Sequence, residues 1–267
     1  MAALNFIQLH LTIGVWILGL MTLLWLISLL LKDSSIVDIF WGAGFVMSVW
    51  VAFLSTLESV GPRDWLAVIL VTLWGLRLSI HILIRNWGKG EDFRYRKWRE
   101  ETRGKWWWVS FFKVYLLQGV LMWIVAAPLT AIQLPAAQDA LGILDYIGIG
   151  LWLIGFYFES FGDMQLARFK ANPENKGQLL QSGVWRYTRH PNYFGDAAQW
   201  LGFYLLAAAA GGWWTIFSPV LMTLLLVRVS GVALLEKSLK KNKPGYEDYV
   251  RRTSAFIPWF PKSKEEK

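Results

Sequence analysis

The sequence contains no cysteine, which excludes disulfides, thiolate nucleophiles and cysteine-ligated metals. Histidine is scarce, with three residues among 267, so we predict no metal site. Charged residues make up only 17% of the chain, too few to cover the surface of a soluble domain of this length. The chain has instead 55% hydrophobic residues and 18 tryptophans. This composition is typical of an integral membrane protein.

Long apolar runs predict an all-α polytopic membrane protein of about seven transmembrane helices, because a helix needs about 20 apolar residues to cross a bilayer. The predicted spans cover residues 12–31, 36–57, 65–84, 109–131, 144–161, 197–210 and 213–235. The sixth run is short and fits either a full crossing or one arm of a hairpin. We interpret residues 1–267 as a single transmembrane domain.

Lysine and arginine concentrate in residues 85–108, 165–195 and 236–267, and are absent from the connections after the fourth and sixth spans. The positive-inside rule therefore places these three segments in the cytoplasm, with the N-terminus outside and the C-terminus inside. This topology, together with the anionic headgroups of membrane lipids, accounts for the net charge of +8. No nucleic-acid partner is expected, and the oligomeric state is left open.

A polar stretch at residues 182–196 lies between two apolar segments. Its arginines and histidine donate hydrogen bonds that suit phosphates, its asparagine both donates and accepts, and its tyrosine rings offer flat faces. The stretch therefore predicts a binding site for an anionic, aromatic ligand at the membrane surface. Its candidate cofactor-binding residues are Arg186, Tyr187, Arg189, His190, Asn192 and Tyr193.

Asp38 lies among apolar residues at the start of the second span. A carboxylate in that position is costly and is by default a functional-site hypothesis. The alternative is a first-turn acid that the helix dipole favours, although Ser34 or Ser35 would already serve as the cap.

Acidic residues also accompany the cationic segments. Glu159 and Asp163 are four residues apart at the end of the fifth span, where they either bind a ribose or amine or neutralise nearby arginines. Glu236 follows the seventh span, is expected to face the same compartment as Arg186 and Arg189, and is a further candidate cofactor-binding residue.

Taken together, these residues resemble the steroid 5-alpha-reductase-like family of membrane reductases, and most closely its bacterial branch. The main motif is residues 183–196, which read GVWRYTRHPNYFGD. Further matches lie at residues 35–38, 91–95, 162–163, 169–170 and 246–258. The resemblance implies about seven transmembrane helices in a bacterial inner membrane. It also implies NADPH entering from the cytosolic side and hydride delivery to the carbon–carbon double bond of a lipophilic enone.

The resemblance also assigns roles to individual positions. Asp38 falls near the family's catalytic glutamate, which polarises the enone carbonyl. The steroid-specific Gln-Glu-Leu-Pro sequence is absent, and no tyrosine of the third span matches the partner of that glutamate. A steroid is therefore one option among lipophilic substrates. The cofactor-pocket positions carried over are Asn86, Asp163, Lys170, Arg186, Arg189, Asn192 and Tyr193.

Elementary chemistry agrees with a reductase, because reduction of an enone needs a hydrogen-bond donor beside the carbonyl. A carboxyl group in an apolar site can stay protonated and act as that donor.

One alternative is a membrane methyltransferase of the isoprenylcysteine or phospholipid type, which uses S-adenosylmethionine and shares the Arg-His-Pro-x-Tyr-x-Gly pattern. Those enzymes commonly carry an acidic pair in the last helix, where this chain has the single acid Glu236. The many cations favour a phosphate-bearing cofactor. A transporter is a further alternative, but it would predict polar residues near the midplane of several spans.

Overall fold

A computed structural model describes residues 5–134, 140–230, 236, 239 and 243–262. No β-strand occurs within that part of the chain, and a single isolated bridge joins Thr188 to Ser254. A π-helical turn at Phe111–Leu116 lies inside the helix Trp106–Val125. In chain order the helices are α1 (Phe6–Leu31), α2 (Ile36–Ser55), α3 (Pro62–Asn86), α4 (Phe93–Glu101), α5 (Trp106–Val125), α6 (Ala127–Ile132), α7 (Ile143–Ala171), α8 (Pro191–Ala209), α9 (Trp213–Arg228) and α10 (Tyr246–Arg252).

Five of these helices, α1, α2, α3, α5 and α7, are long and apolar enough to cross a membrane. They correspond to the first five predicted spans, as expected for a polytopic membrane protein. The sixth predicted span, residues 197–210, overlaps α8, and the described part of the seventh lies in α9 and the π-helical turn Leu225–Ser230. Residues 231–235 of the predicted seventh span lie outside the described residues. Seven spans and the orientation of the termini stay predictions.

Helix boundaries differ from the predicted spans for local reasons. Helix α1 begins at Phe6 because Asn5 and Gln8 form a reciprocal capping box at its N-terminus. Helix α7 continues past the predicted end at residue 161, and Arg168 and Lys170 in its last turn complement the helix dipole.

The backbone contacts divide the chain into two compact units. The first comprises Met1–Asp145 and Leu206–Ser218, and the second comprises Tyr146–Leu205 and Pro219–Lys267. The interpretation of the chain as one transmembrane domain stays a prediction.

In the first unit, α2 and α3 pack with their backbones in direct contact. A Cβ atom on Gly42 would lie 2.3 Å from the carbonyl oxygen of Gly75, so only glycine fits there. Small residues at such crossings let membrane helices approach closely. Phe45 and Trp74 are fully buried in the first unit, with ring centroids 5.7 Å apart. At the other end of α3, Arg63 forms a buried ion pair with Asp145, with Nε 2.8 Å from Oδ1.

In the second unit, the facing parts of α7 and α8 pack through glycine in the same way. A Cβ atom on Gly155 would lie 2.4 Å from the carbonyl oxygen of Gly195, and one on Gly195 would meet the carbonyl of Gly155 at the same distance. Buried polar side chains accompany this contact, and Gln199 Nε2 donates to Glu159 Oε2 over 2.6 Å. The close packing fixes the start of α8, which carries part of the candidate site.

Candidate functional site

In the first unit, three hydrogen-bond donors from α4 and α5 surround Asp38. The Tyr95 hydroxyl donates to Asp38 Oδ1 over 2.6 Å, and Arg94 Nη2 donates to Oδ2 over 3.0 Å. Gln118 Nε2 lies 3.5 Å from Asp38 Oδ1 and 3.3 Å from the Tyr95 hydroxyl oxygen. The N-cap of α2 is Ser35, so the Asp38 carboxylate binds these donors instead of closing the first turn of its own helix.

Helix α4 reaches Asp38 because its N-terminal end is tied to the turn between α1 and α2. Glu91 Oε1 accepts hydrogen bonds from the Ser34 backbone N–H over 2.8 Å and from Arg99 Nη2 over 2.7 Å. The Asp92 backbone N–H donates to Ser35 Oγ over 3.2 Å. Burial acts to raise the pKa of Glu91, but hydrogen bonds from Arg99 and the Ser34 N–H outweigh burial and hold this pKa below its ordinary value. Glu91 is therefore a charged anchor for α4 at neutral pH.

The Tyr95 hydroxyl is a stable proton donor. Its side chain is buried, and burial together with the negative charge of Asp38 raises its pKa well above the ordinary value. The hydroxyl therefore keeps its proton at neutral pH. The pair of Asp38 and Tyr95 has the chemistry of a hydrogen-bond donor positioned by a carboxylate.

In the second unit, Arg189 is enclosed by acceptors of the same unit. Its Nε and Nη2 lie 2.9 Å and 2.8 Å from Glu236 Oε1. Its Nη1 donates to the carbonyl oxygens of Val250, over 3.1 Å, and Thr253, over 2.6 Å. Burial acts to raise the pKa of Glu236, but Arg189 outweighs burial and lowers it. The two Nη1 hydrogen bonds therefore hold the segment around α10 in place, and Nε and Nη2 bind Glu236.

His190 lies between Glu236 and the ring of Tyr193. Its Nε2 is 3.3 Å from Glu236 Oε1, and its ring stacks on Tyr193 with centroids 5.7 Å apart and planes 12° apart. Burial lowers the pKa of His190 in spite of the neighbouring carboxylate, so the imidazole is neutral at pH 7.

Asn192 connects these residues to α7. Its Nδ2 donates to Asp163 Oδ1 over 3.2 Å, and its Oδ1 accepts from the Tyr193 backbone N–H over 3.1 Å. The contacts thus join six of the residues that the sequence indicated into one network at the start of α8. Its members are Asp163, Arg189, His190, Asn192, Tyr193 and Glu236.

The second unit also contains a pocket of about 410 Å³, a volume within the usual range for small-molecule sites. Its described lining residues include four cations and no carboxylate: Lys170, Lys176, Arg189 and Lys243. Four aromatic side chains complete the wall: Phe169, Trp185, Tyr246 and Tyr249. Burial and the charge of Glu236 raise the pKa of Tyr246 to about 12, so this hydroxyl is also protonated. The pocket suits a ligand that combines negative charge with a flat ring.

The remaining predicted residues lie elsewhere. Arg186 and Tyr187 are exposed and do not line the pocket. The Tyr187 carbonyl accepts from the Trp259 backbone N–H over 2.9 Å. Asn86 ends α3 in the first unit, where Arg85 Nε lies 3.3 Å from its Oδ1. The cofactor roles of these three residues stay predictions.

Sequence reasoning did not find three of the residues that the structure places at these sites. The resemblance implied a tyrosine partner for Asp38 in the third span, whereas Tyr95 lies in the short helix after that span. The motif at residues 91–95 is the sequence signal that indicates Tyr95. Gln118 is an amide inside an otherwise apolar run, which was also a readable signal. The sequence indicated Lys243 only as one of the basic residues of segment 236–267, whereas the structure places it in the wall of the pocket.

Comparisons with known proteins identify a family and several relatives of this chain. The family model described as "Protein of unknown function (DUF1295)" matches residues 24–253. An uncharacterised protein of Schizosaccharomyces pombe is 27% identical over 288 residues, which cover 96% of this chain and 83% of the yeast protein. The 3-oxo-5-alpha-steroid 4-dehydrogenase 1 of Bos taurus is 26% identical over 112 residues, and that of Rattus norvegicus is 25% identical over 112 residues. No solved structure gives a significant match.

The two kinds of relative differ in how much they cover. Each match to a steroid dehydrogenase spans 42% of this chain and 40% of the dehydrogenase, so the chain aligns with less than half of those enzymes. The family model, in contrast, spans most of the chain and both units. The chain therefore belongs to the DUF1295 family, a steroid 5-alpha-reductase-like family.

Proposed function

We propose that this protein is an NADPH-dependent membrane reductase that reduces the carbon–carbon double bond of a lipophilic enone. The observation that carries the proposal is the Tyr95 hydroxyl held 2.6 Å from Asp38 in a chain that is distantly similar to steroid dehydrogenases. The methyltransferase alternative has no comparable support, because none of the relatives named above is described as a methyltransferase.

In this proposal the Asp38–Tyr95 pair acts on the enone carbonyl. NADPH, when bound, supplies the hydride. Hydride addition at the β-carbon shifts the π electrons onto the carbonyl oxygen, where a preorganised donor stabilises the developing enolate and lowers the barrier. A proton from water at the α-carbon then completes the reduction. Tyr95 is the preorganised donor: its single O–H donates to Asp38 in the structure, and in this proposal it turns from Asp38 to the carbonyl oxygen when the enone binds, while Gln118 Nε2 holds the phenol oxygen. Because Asp38 accepts hydrogen bonds from all its partners, we assign the donor role to Tyr95 and the positioning role to Asp38.

The side chains of the second unit support NADPH as the cofactor. The phosphates need cations, which the pocket has, and the adenine needs a flat apolar wall, which its aromatic residues form. We assign cofactor binding to Lys170 and to the network around Asn192, and we assign Arg189 the task of holding the surrounding segment.

We extend the proposal to topology and location. The chain would cross a bacterial inner membrane seven times, with the N-terminus outside and the cationic segments and cofactor face in the cytoplasm. Many large apolar side chains of the span helices are exposed, among them Leu30 at 83% and Ile84 at 71%. Membrane lipids are the partners that would cover them.

Ligand-dependent stabilisation tests the cofactor. The detergent-purified protein is titrated with NADPH, NADH and S-adenosylmethionine while its thermal midpoint is followed. NADPH at about 100 times its dissociation constant is expected to raise the free energy of unfolding by about 2.7 kcal/mol. Lys170→Ala should weaken this effect. Arg168→Ala, which removes an exposed cation outside the pocket, should not. Stabilisation by S-adenosylmethionine alone would overturn the proposal in favour of a methyltransferase.

A further inference from the structure

Three of the cations that line the pocket are lysines from three separate segments. Lys170 lies in the last turn of α7, Lys176 in the following turn, and Lys243 shortly before α10. The fourth cation, Arg189, is neutralised by its ion pair with Glu236. The lysines therefore determine which anion the pocket attracts.

The turn that carries Lys176 is held in place at both ends. Asn175 Nδ2 donates to the Phe169 carbonyl oxygen over 2.9 Å, which fixes the turn to α7. Gly177 adopts a left-handed conformation with φ of 87°, which reverses the chain directly after Lys176. Lys243 Nζ donates to the Gln178 carbonyl oxygen over 3.2 Å, so the second lysine is joined to the same turn.

The aromatic wall beside these lysines is also fixed. Trp185 Nε1 donates to the Gly162 carbonyl oxygen over 3.1 Å, and the Tyr249 hydroxyl donates to the Trp185 carbonyl oxygen over 2.5 Å. A rigid flat wall beside a group of lysines suits an aromatic ring that carries a phosphate close by. The adenosine 2′-phosphate of NADPH has this chemistry.

We propose that Lys176 and Lys243 bind the 2′-phosphate of the dinucleotide and so select NADPH over NADH. The inference rests on the proposed function and adds the residues that set its cofactor specificity. A phosphomonoester carries a charge of about −1.5 to −2 at pH 7, and lysine is a common ligand for it. NADH lacks this group, so removal of the lysines weakens NADPH binding and leaves NADH binding unchanged.

Dissociation constants for NADPH and NADH, measured by calorimetry on the full detergent-solubilised chain, test the inference. We expect Lys176→Ala and Lys243→Ala each to weaken NADPH binding about tenfold, because each variant loses one charge-assisted hydrogen bond. Neither variant should change NADH binding. Adenosine 2′,5′-bisphosphate should compete with NADPH in the native protein, and adenosine 5′-monophosphate should compete far less. Lys176→Arg and Lys243→Arg should keep the preference for NADPH, because they keep the positive charge. Arg168→Ala removes a positive charge outside the pocket and is the matched control.

The outcomes separate the inference from the proposed function. Equal weakening of NADPH and NADH binding in the lysine variants would overturn the inference and leave the reductase standing. If the native protein binds neither dinucleotide, the proposed function fails. If phosphatidylglycerol vesicles displace the bisphosphate while NADPH does not, the lysines bind a lipid phosphate and the inference is wrong. A thermal midpoint that matches the native protein confirms that each variant is folded.

Discussion

Replacing Tyr95 with phenylalanine is expected to lower the turnover number for NADPH-dependent enone reduction by about 10²- to 10³-fold, the usual cost of losing one oxyanion donor. The variant removes a single hydroxyl, which in the native protein donates to Asp38 over 2.6 Å. Because the hydroxyl acts on charge that develops during the reaction, kcat and kcat/KM should fall together. Stopped-flow measurement of NADPH oxidation with a 3-oxo-4-ene steroid as the probe would follow this loss.

Tyr115 offers a matched control for this substitution. It is a buried tyrosine of the same unit, and its hydroxyl donates to the Ser34 carbonyl oxygen over 3.2 Å instead of to Asp38. Tyr115→Phe should therefore keep kcat within a fewfold of the native value. Asp38→Asn should lower kcat, because the amide no longer accepts both Tyr95 and Arg94. A folded Tyr95→Phe protein with native kcat would contradict the assigned role.

Replacing Arg189 with alanine is expected to destabilise the protein by about 3 kcal/mol, the lower end of the cost of removing one partner from a buried ion pair, because Glu236 is 19% exposed. The substitution leaves the Glu236 carboxylate without its guanidinium partner and removes the donor to the Val250 and Thr253 carbonyls. At about 2–4 °C per kcal/mol for a chain of this size, the thermal midpoint should fall by about 10 °C.

Arg186→Ala is the control for charge, because Arg186 is an exposed arginine three residues away. Its effect should stay within about 0.5 kcal/mol, as for most surface substitutions. Circular dichroism melting of both variants in the same detergent compares them directly. An Arg189→Ala protein with a native midpoint and no affinity for NADPH would instead make Arg189 a direct cofactor ligand.

Hydropathy was sufficient to predict the membrane helices, because the bilayer imposes a minimum apolar length that the sequence displays directly. The five helices that meet this length were all predicted, and only their ends moved. The ends of the helices depend on capping contacts, such as that of Asn5 with Gln8. A hydropathy average does not include these contacts.

The candidate sites were harder to predict because their partners are distant in sequence. Asp38 and Tyr95 are 57 residues apart, and their contact depends on how α4 attaches to the turn before α2. Arg189 was expected to bind phosphate, since arginine commonly does so. Two of its partners are backbone carbonyls of Val250 and Thr253, which have no signature in the sequence. The residue types therefore indicated the chemistry of the sites, but the structure was needed to show which residues contact each other.

Transfer of an isotopic label from NADPH to an enone tests directly whether this protein is a reductase. The purified protein is incubated with NADPH that carries deuterium at the reactive C4 position, together with a 3-oxo-4-ene steroid, and the product is analysed by mass spectrometry and NMR. We expect one deuterium at the former β-carbon of the enone, transferred at a rate that Tyr95→Phe lowers by at least 10²-fold. Tight binding of NADPH with no label transferred to this steroid or to a panel of lipophilic enones would contradict a reductase.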